Sequence, residues 1–116
     1  MTATGRRPLT GKQRRYLRAL AHDQKPVVQV GKTGLRPSVV EAVEKSLVTH
    51  ELIKVKVASD SEQTPEEVAH ALEEQTGAHL AQIIGRVLVL YRRRADDPKI
   101  VLPRAEKRPA DDDEDD

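Results

Sequence analysis

Val27-Val28-Gln29-Val30-Gly31-Lys32-Thr33-Gly34-Leu35-Arg36-Pro37-Ser38 is the stretch on which the fold turns. An apolar run leads into a basic loop flanked by two glycines, and the loop leads into an amphipathic segment that opens near Pro37 and Ser38. Strand, loop and helix in that order commonly receive a phosphate. Glycine permits positive φ and a close approach to the backbone. The first N–H groups of a helix have no intrahelical partner and favour an anion. Lys32 adds a full positive charge at the tip. Two other readings fit the same letters. Gly31-Lys32-Thr33 matches the end of a nucleotide-binding P-loop, but that motif needs a further glycine five residues before Gly31. Position 26 is Pro26, which fixes φ and donates no N–H. A plain strand-to-helix turn also uses glycine and lysine, and the loop alone does not separate that from a phosphate clamp.

Upstream, Thr10-Gly11-Lys12-Gln13 fits a capping box and predicts a helix running to about Asp23. Tyr16, Leu17, Leu20 and Ala21 fall on one side at helical spacing and are expected in the core. Arg14, Arg15, Arg18 and His22 fall together on another side. No glutamate is interleaved to form i,i+4 pairs, so like charges crowd one another and phosphate contact is the favoured explanation.

Downstream, Pro37 suits a first helical position, and either Arg36 or Ser38 can cap a helix that runs to about His50. Val39, Val40, Val43 and Leu47 would face inward. Leu52-Ile53-Lys54-Val55-Lys56-Val57 alternates apolar and basic, as a half-exposed strand does, with Lys54 and Lys56 on one face. Residues 59–63 read as a polar, mobile loop. Thr64-Pro65-Glu66-Glu67 starts another helix with Val68, Ala71 and Leu72 inward, and Gly77 suits its left-handed end. His79 to Ile84 and Arg86 to Arg92 read as strands joined at Gly85. Lys99 to Pro103 reads as a further edge segment.

The expected order is α-β-α-β-α-β-β: an α/β fold with a mixed four-stranded sheet packed by helices. A disordered stretch is expected at 1–8, one domain at 9–104 and a disordered acidic tail at 105–116.

A chain of 116 residues suits a single domain. It has no Trp, no Phe and no Cys, and its two tyrosines are Tyr16 and Tyr91. The core must therefore be aliphatic, and disulfides and thiolate metal sites are excluded. No apolar run approaches the roughly 20 residues needed to span a bilayer. Arg6 and Arg7 are not followed by an apolar signal core, so a cytoplasmic location is expected. The net charge of +1 conceals a strong segregation. Residues 1–36 hold nine Lys/Arg against Asp23, and residues 111–116 are six consecutive acids. A basic face for a polyanion, plus an acidic tail, is the implied arrangement.

Several stretches together resemble one family. They are Leu20-Ala21-His22, Lys25-Pro26-Val27-Val28, Gly31-Lys32-Thr33-Gly34-Leu35, His50-Glu51-Leu52-Ile53-Lys54-Val55-Lys56, Thr76-Gly77-Ala78, Ile84-Gly85-Arg86, Leu88-Val89-Leu90-Tyr91-Arg92 and Leu102-Pro103-Arg104. Over residues 9–104 this ordered set is similar to the YhbY family, the bacterial single-domain form of the CRM (chloroplast RNA splicing and ribosome maturation) domain. The resemblance implies a compact α/β fold related to KH-type and initiation-factor C-terminal domains. It also implies RNA binding through the GxxG loop and a neighbouring basic surface, and association of bacterial members with large-subunit precursors.

The expected partner is therefore RNA, in particular ribosomal RNA of the large-subunit precursor, bound by a monomer. The candidate contacts are Gly31, Lys32, Thr33 and Gly34 of the loop, Lys12, Arg14, Arg15 and Arg18 of the first helix, and Lys54 and Lys56 of the second strand. Arg92 to Arg94 could extend the surface. RRM-type base stacking needs exposed aromatics; Tyr16 reads as core and Tyr91 as packing, so backbone and shape recognition is expected. The alternative is a protein-interaction module whose acidic tail binds basic ribosomal proteins. An enzyme is not expected. His22, His50, His70 and His79 lack metal-ligand spacing, and Glu66, Glu67, Glu73 and Glu74 read as a solvated helix face. No cofactor or metal is implied.

Overall fold

The computed structural model describes residues 8–104. The order is α1 (Gly11–Ala21), β1 (Val28–Val30), α2 (Pro37–Thr49), β2 (Leu52–Val57), α3 (Pro65–Thr76), β3 (His79–Ile84) and β4 (Val87–Tyr91). Local chemistry sets the helix ends. Thr10 and Gln13 form the capping box of α1, and Thr64 and Glu67 form that of α3. Gly77 closes α3 at φ 77°, in the left-handed region. For α2 the choice between caps resolves to Arg36, with Pro37 inside the first turn and no side-chain capping bond.

The sheet runs β1-β2-β4-β3. β1 pairs with β2 in parallel, and β4 is antiparallel to both β2 and β3. β4 is thus inserted between the two strands that flank α3. Both its faces are covered, and Leu88, Val89, Leu90 and Tyr91 are all buried.

Alternation along β2 splits the core in two. Ile53, Val55 and Val57 face one way and join Val43 and Leu47 of α2 and Val68 and Leu72 of α3. Leu52 faces the other way and joins Leu17 and Ala21 of α1, with Val89, Tyr91, Ile100 and Leu102. By the same parity Lys54 and Lys56 lie on the α1 face of the sheet.

Four expectations change. Tyr16 and Leu20 are 39% and 43% exposed. At about 100° per residue they sit a step round the helix from Leu17 and Ala21, and an 11-residue helix on one sheet face buries only a narrow stripe. Residues 99–103 form no strand; the segment is held by side chains instead. Glu51 accepts backbone N–H bonds from Arg94 (2.9 Å), Lys99 (2.8 Å) and Ile100 (2.7 Å), and Gln13 Nε2 donates to Pro103 O at 2.9 Å. Glu73 is half-buried and accepts from Leu80 N at 2.8 Å, so it is not a solvated residue. The 59–63 loop is tied down, as described below. The expectations for residues 1–7 and for the acidic tail lie outside the described residues.

Burial is the largest influence on the Glu51 carboxyl and pushes its pKa up. The backbone bonds from Arg94, Ile100 and Lys99 together outweigh it, so the net shift is downward. The Tyr91 hydroxyl is pushed up, first by burial and then by the nearby Glu51 charge. No helix among the described residues is long and apolar enough to cross a membrane.

Candidate nucleic-acid interface

β1 delivers the chain to the 31–34 loop and α2 takes it away. Gly34 N donates to Gly31 O at 3.1 Å, closing a four-residue turn with exposed Lys32 and Thr33 at its tip. The two glycines are there for different reasons. Gly34 has φ 83°, and a Cβ there would lie 2.6 Å from Gln63 Oε1. Gly31 does not have positive φ, and a Cβ there would meet nothing within 4 Å. The fold therefore requires glycine at 34 but not at 31. What Gly31 provides is open approach to the backbone.

Three contacts brace the loop from outside. Ala58 N donates to Val30 O at 2.9 Å and Glu62 N to Lys32 O at 2.8 Å. Leu35 N donates to Gln63 Oε1 at 2.6 Å. The 59–63 segment is thus a strut for the 31–34 loop, where the sequence alone suggested mobility. Its base is fixed by Arg86, whose Nε and Nη2 donate to Val57 O (3.0 Å) and Ala58 O (2.7 Å). Gln63 and Arg86 were not among the candidates drawn from the sequence. The only available signal was Ile84-Gly85-Arg86 among the matching stretches, because Gln63 and Leu35 are 28 residues apart.

The basic residues of α1 and β2 partly converge. Arg15, Arg18, Ala19, His22, Asp23, Lys54 and Ile84 line one cleft of about 420 Å³. Lys54 Nζ donates to His22 O at 3.3 Å, which ties the strand lysine to the end of α1. Arg15 and Arg18 are exposed. Lys56 is also exposed, on the same sheet face one step nearer the 31–34 loop, opposite Gln29 of β1. Asp23 is the single acid in the cleft lining, against two arginines and a lysine.

The other candidates stand apart. Arg14 Nη1 donates to Leu9 O at 2.8 Å. Lys12 lies exposed in the first turn of α1, outside the cleft lining. Arg92 is half-buried in a structural role, with Nη1 donating to Glu44 Oε2 (2.8 Å) and Thr76 O (2.7 Å). It therefore does not extend the basic surface. The histidines are scattered: His22 and His50 cap α1 and α2, His70 lies 3.5 Å from Glu74, and His79 stacks on Tyr91 with ring centroids 6.3 Å apart.

Comparison with known proteins adds an independent line. The CRS1 / YhbY (CRM) domain model matches residues 9–92. "Probable RNA-binding protein YqeI" of Bacillus subtilis is 40% identical over 95 residues, covering 82% of this chain and 99% of the relative. An "RNA-binding protein" of Haemophilus influenzae is 44% identical over 96 residues, covering 83% and 96%. The solution structure of the hypothetical protein SAV1595 from Staphylococcus aureus superposes with TM-score 0.69 at 41% identity, covering 82% of this chain and 99% of that one.

Proposed function

Because the chain belongs to the CRS1/YhbY (CRM) domain family, we propose that it is a non-catalytic RNA-binding protein that grips backbone phosphates and acts on large-subunit ribosomal RNA during ribosome assembly. It works as a cytoplasmic monomer. The observation that carries this reading is the convergence of Arg15 and Arg18 from α1 with Lys54 from β2 on one cleft. Lys56 continues that face toward the end of the sheet from which the 31–34 loop emerges.

In this reading the loop seats one phosphate over Gly31, where a Cβ would meet nothing within 4 Å, beside the exposed Lys32. The cleft cations take neighbouring phosphates along the strand. Such contacts fix position and carry little sequence information. Base stacking is thinly supplied, since Tyr91 is buried and only Tyr16 is exposed. Selectivity then comes from the shape of a structured RNA. The relatives' names point to RNA binding in those proteins.

Crosslinking the protein to RNA in cells and sequencing the adducts tests the cellular part. Enrichment of large-subunit ribosomal RNA precursors is expected. Adducts spread over messenger and transfer RNA without that enrichment would sink the assembly role.

A further inference from the structure

We propose that Gln63 is the positioning residue of the 31–34 loop, locking its backbone in the form that receives an RNA phosphate; this rests on the RNA reading of that loop given above. Three contacts converge. Gln63 Oε1 accepts from Leu35 N, the first N–H after the loop, at 2.6 Å. That bond also orients the amide, because a donor N–H requires the oxygen and not the NH2. The same amide lies over Gly34, so close that a Cβ would stand 2.6 Å from Oε1 and 3.2 Å from Cδ. One residue earlier, Glu62 N donates to Lys32 O at 2.8 Å. The negative end of that peptide is thus directed at the strut and not at an incoming anion.

The strut is itself anchored. Gln63 N donates to Ser61 Oγ at 3.1 Å, Ser61 N donates to Ala58 O at 3.1 Å, and Arg86 holds Ala58 O. A path of hydrogen bonds therefore runs from the β3–β4 turn to Leu35, where the chain leaves the loop. A two-glycine turn closed by one internal bond would otherwise have to be ordered when RNA binds, at a cost in affinity. Gln63 removes that cost in advance. Its Nε2 has no hydrogen-bond partner among the described residues, which leaves two donors beside the loop.

The test compares the full-length protein with Gln63→Ala and Gln63→Glu. Amide exchange is read at Leu35 and at core positions Val55 and Leu88, and affinity is read with a short oligouridine. Gln63→Ala should speed exchange at Leu35 about tenfold, leave Val55 and Leu88 protected, and weaken binding by about five- to tenfold, the scale of one hydrogen bond. Gln63→Glu keeps the acceptor, so Leu35 stays protected. Its new charge should weaken binding most at low salt, where screening is least. This second variant separates loop geometry from charge even if Gln63→Ala loosens the core. Unchanged Leu35 exchange in Gln63→Ala would overturn the proposal. Fast Leu35 exchange with undiminished affinity would also overturn it, since Gln63 would then hold the loop without aiding RNA binding; whether the loop is the site is read separately from Lys32→Asp with Thr33→Asp.

Discussion

Gly31 and Gly34 share a side chain of one hydrogen, yet only Gly34 is demanded by the fold. Gly34→Ala combines a left-handed φ of 83° with a clash against Gln63, and should cost about 1–3 kcal/mol of stability. Gly31→Ala should change stability by under about 0.5 kcal/mol and still weaken RNA binding severalfold. Thermal melts paired with titrations check this, and equal destabilisation by the two variants would contradict it. Glu51 yields a pH prediction. Its folded pKa lies below the ordinary 4.5, so its contribution is present above the unfolded pKa and is lost as pH falls through the folded one. Gln at 51 keeps one acceptor and does not titrate. The Tm gap between wild type and Glu51→Gln should therefore narrow as pH drops below 4.5; a constant gap would count against it. At this scale the sequence was an uneven guide. Capping residues such as Thr10 and Gln13 act within one turn and could be read from spacing. Tyr16 reads from spacing as core and is instead 39% exposed, because its exposure depends on how α1 is rotated against the sheet. Gln63 could not be found, because its partner is distant in the chain.

α1 and the 31–34 loop make separable predictions as elements. Replacing Arg15, Arg18 and Lys54 with Gln should flatten the salt dependence of RNA affinity, each lost contact removing roughly 0.7 from the log–log slope for a single strand. Arg14→Gln should change the slope less, since its guanidinium already bonds Leu9 O. The loss should be alike for unrelated RNA sequences; a loss confined to one sequence would mean base readout instead. For the loop, Lys32→Asp with Thr33→Asp should weaken binding at least tenfold, about 1.4 kcal/mol, with little change in melting because both side chains are exposed. Undiminished affinity in the folded double variant would remove the loop from the site. Periodicity revealed α1, α2, α3 and the four strands as elements, since each carries its own apolar pattern. It did not reveal that Arg92 is spent on Glu44 and Thr76, because a basic run looks the same whether it faces solvent or a helix end.

Across the whole molecule, the order of elements was legible and the neighbours of each strand were not. A closing hairpin is compatible with β4 at the edge or, as found, between β2 and β3, because alternation reports faces and not partners. The central β4 gives the sheet a core on both sides. With α2 and α3 covering one side, Lys54 and Lys56 are left with α1 on the other. Arg15 and Arg18, from the basic first part of the chain, thereby share a cleft with Lys54 of the second strand. An RNA titration followed by amide chemical shifts tests that surface most directly. An RNA site built from the loop and the α1–β2 cleft predicts the largest changes at residues 31–35, at Arg15, Arg18 and His22, and at Lys54 and Lys56, with Glu66, His70 and Glu74 on the exposed side of α3 unmoved. Changes centred on α3, with the loop and cleft silent, would contradict it.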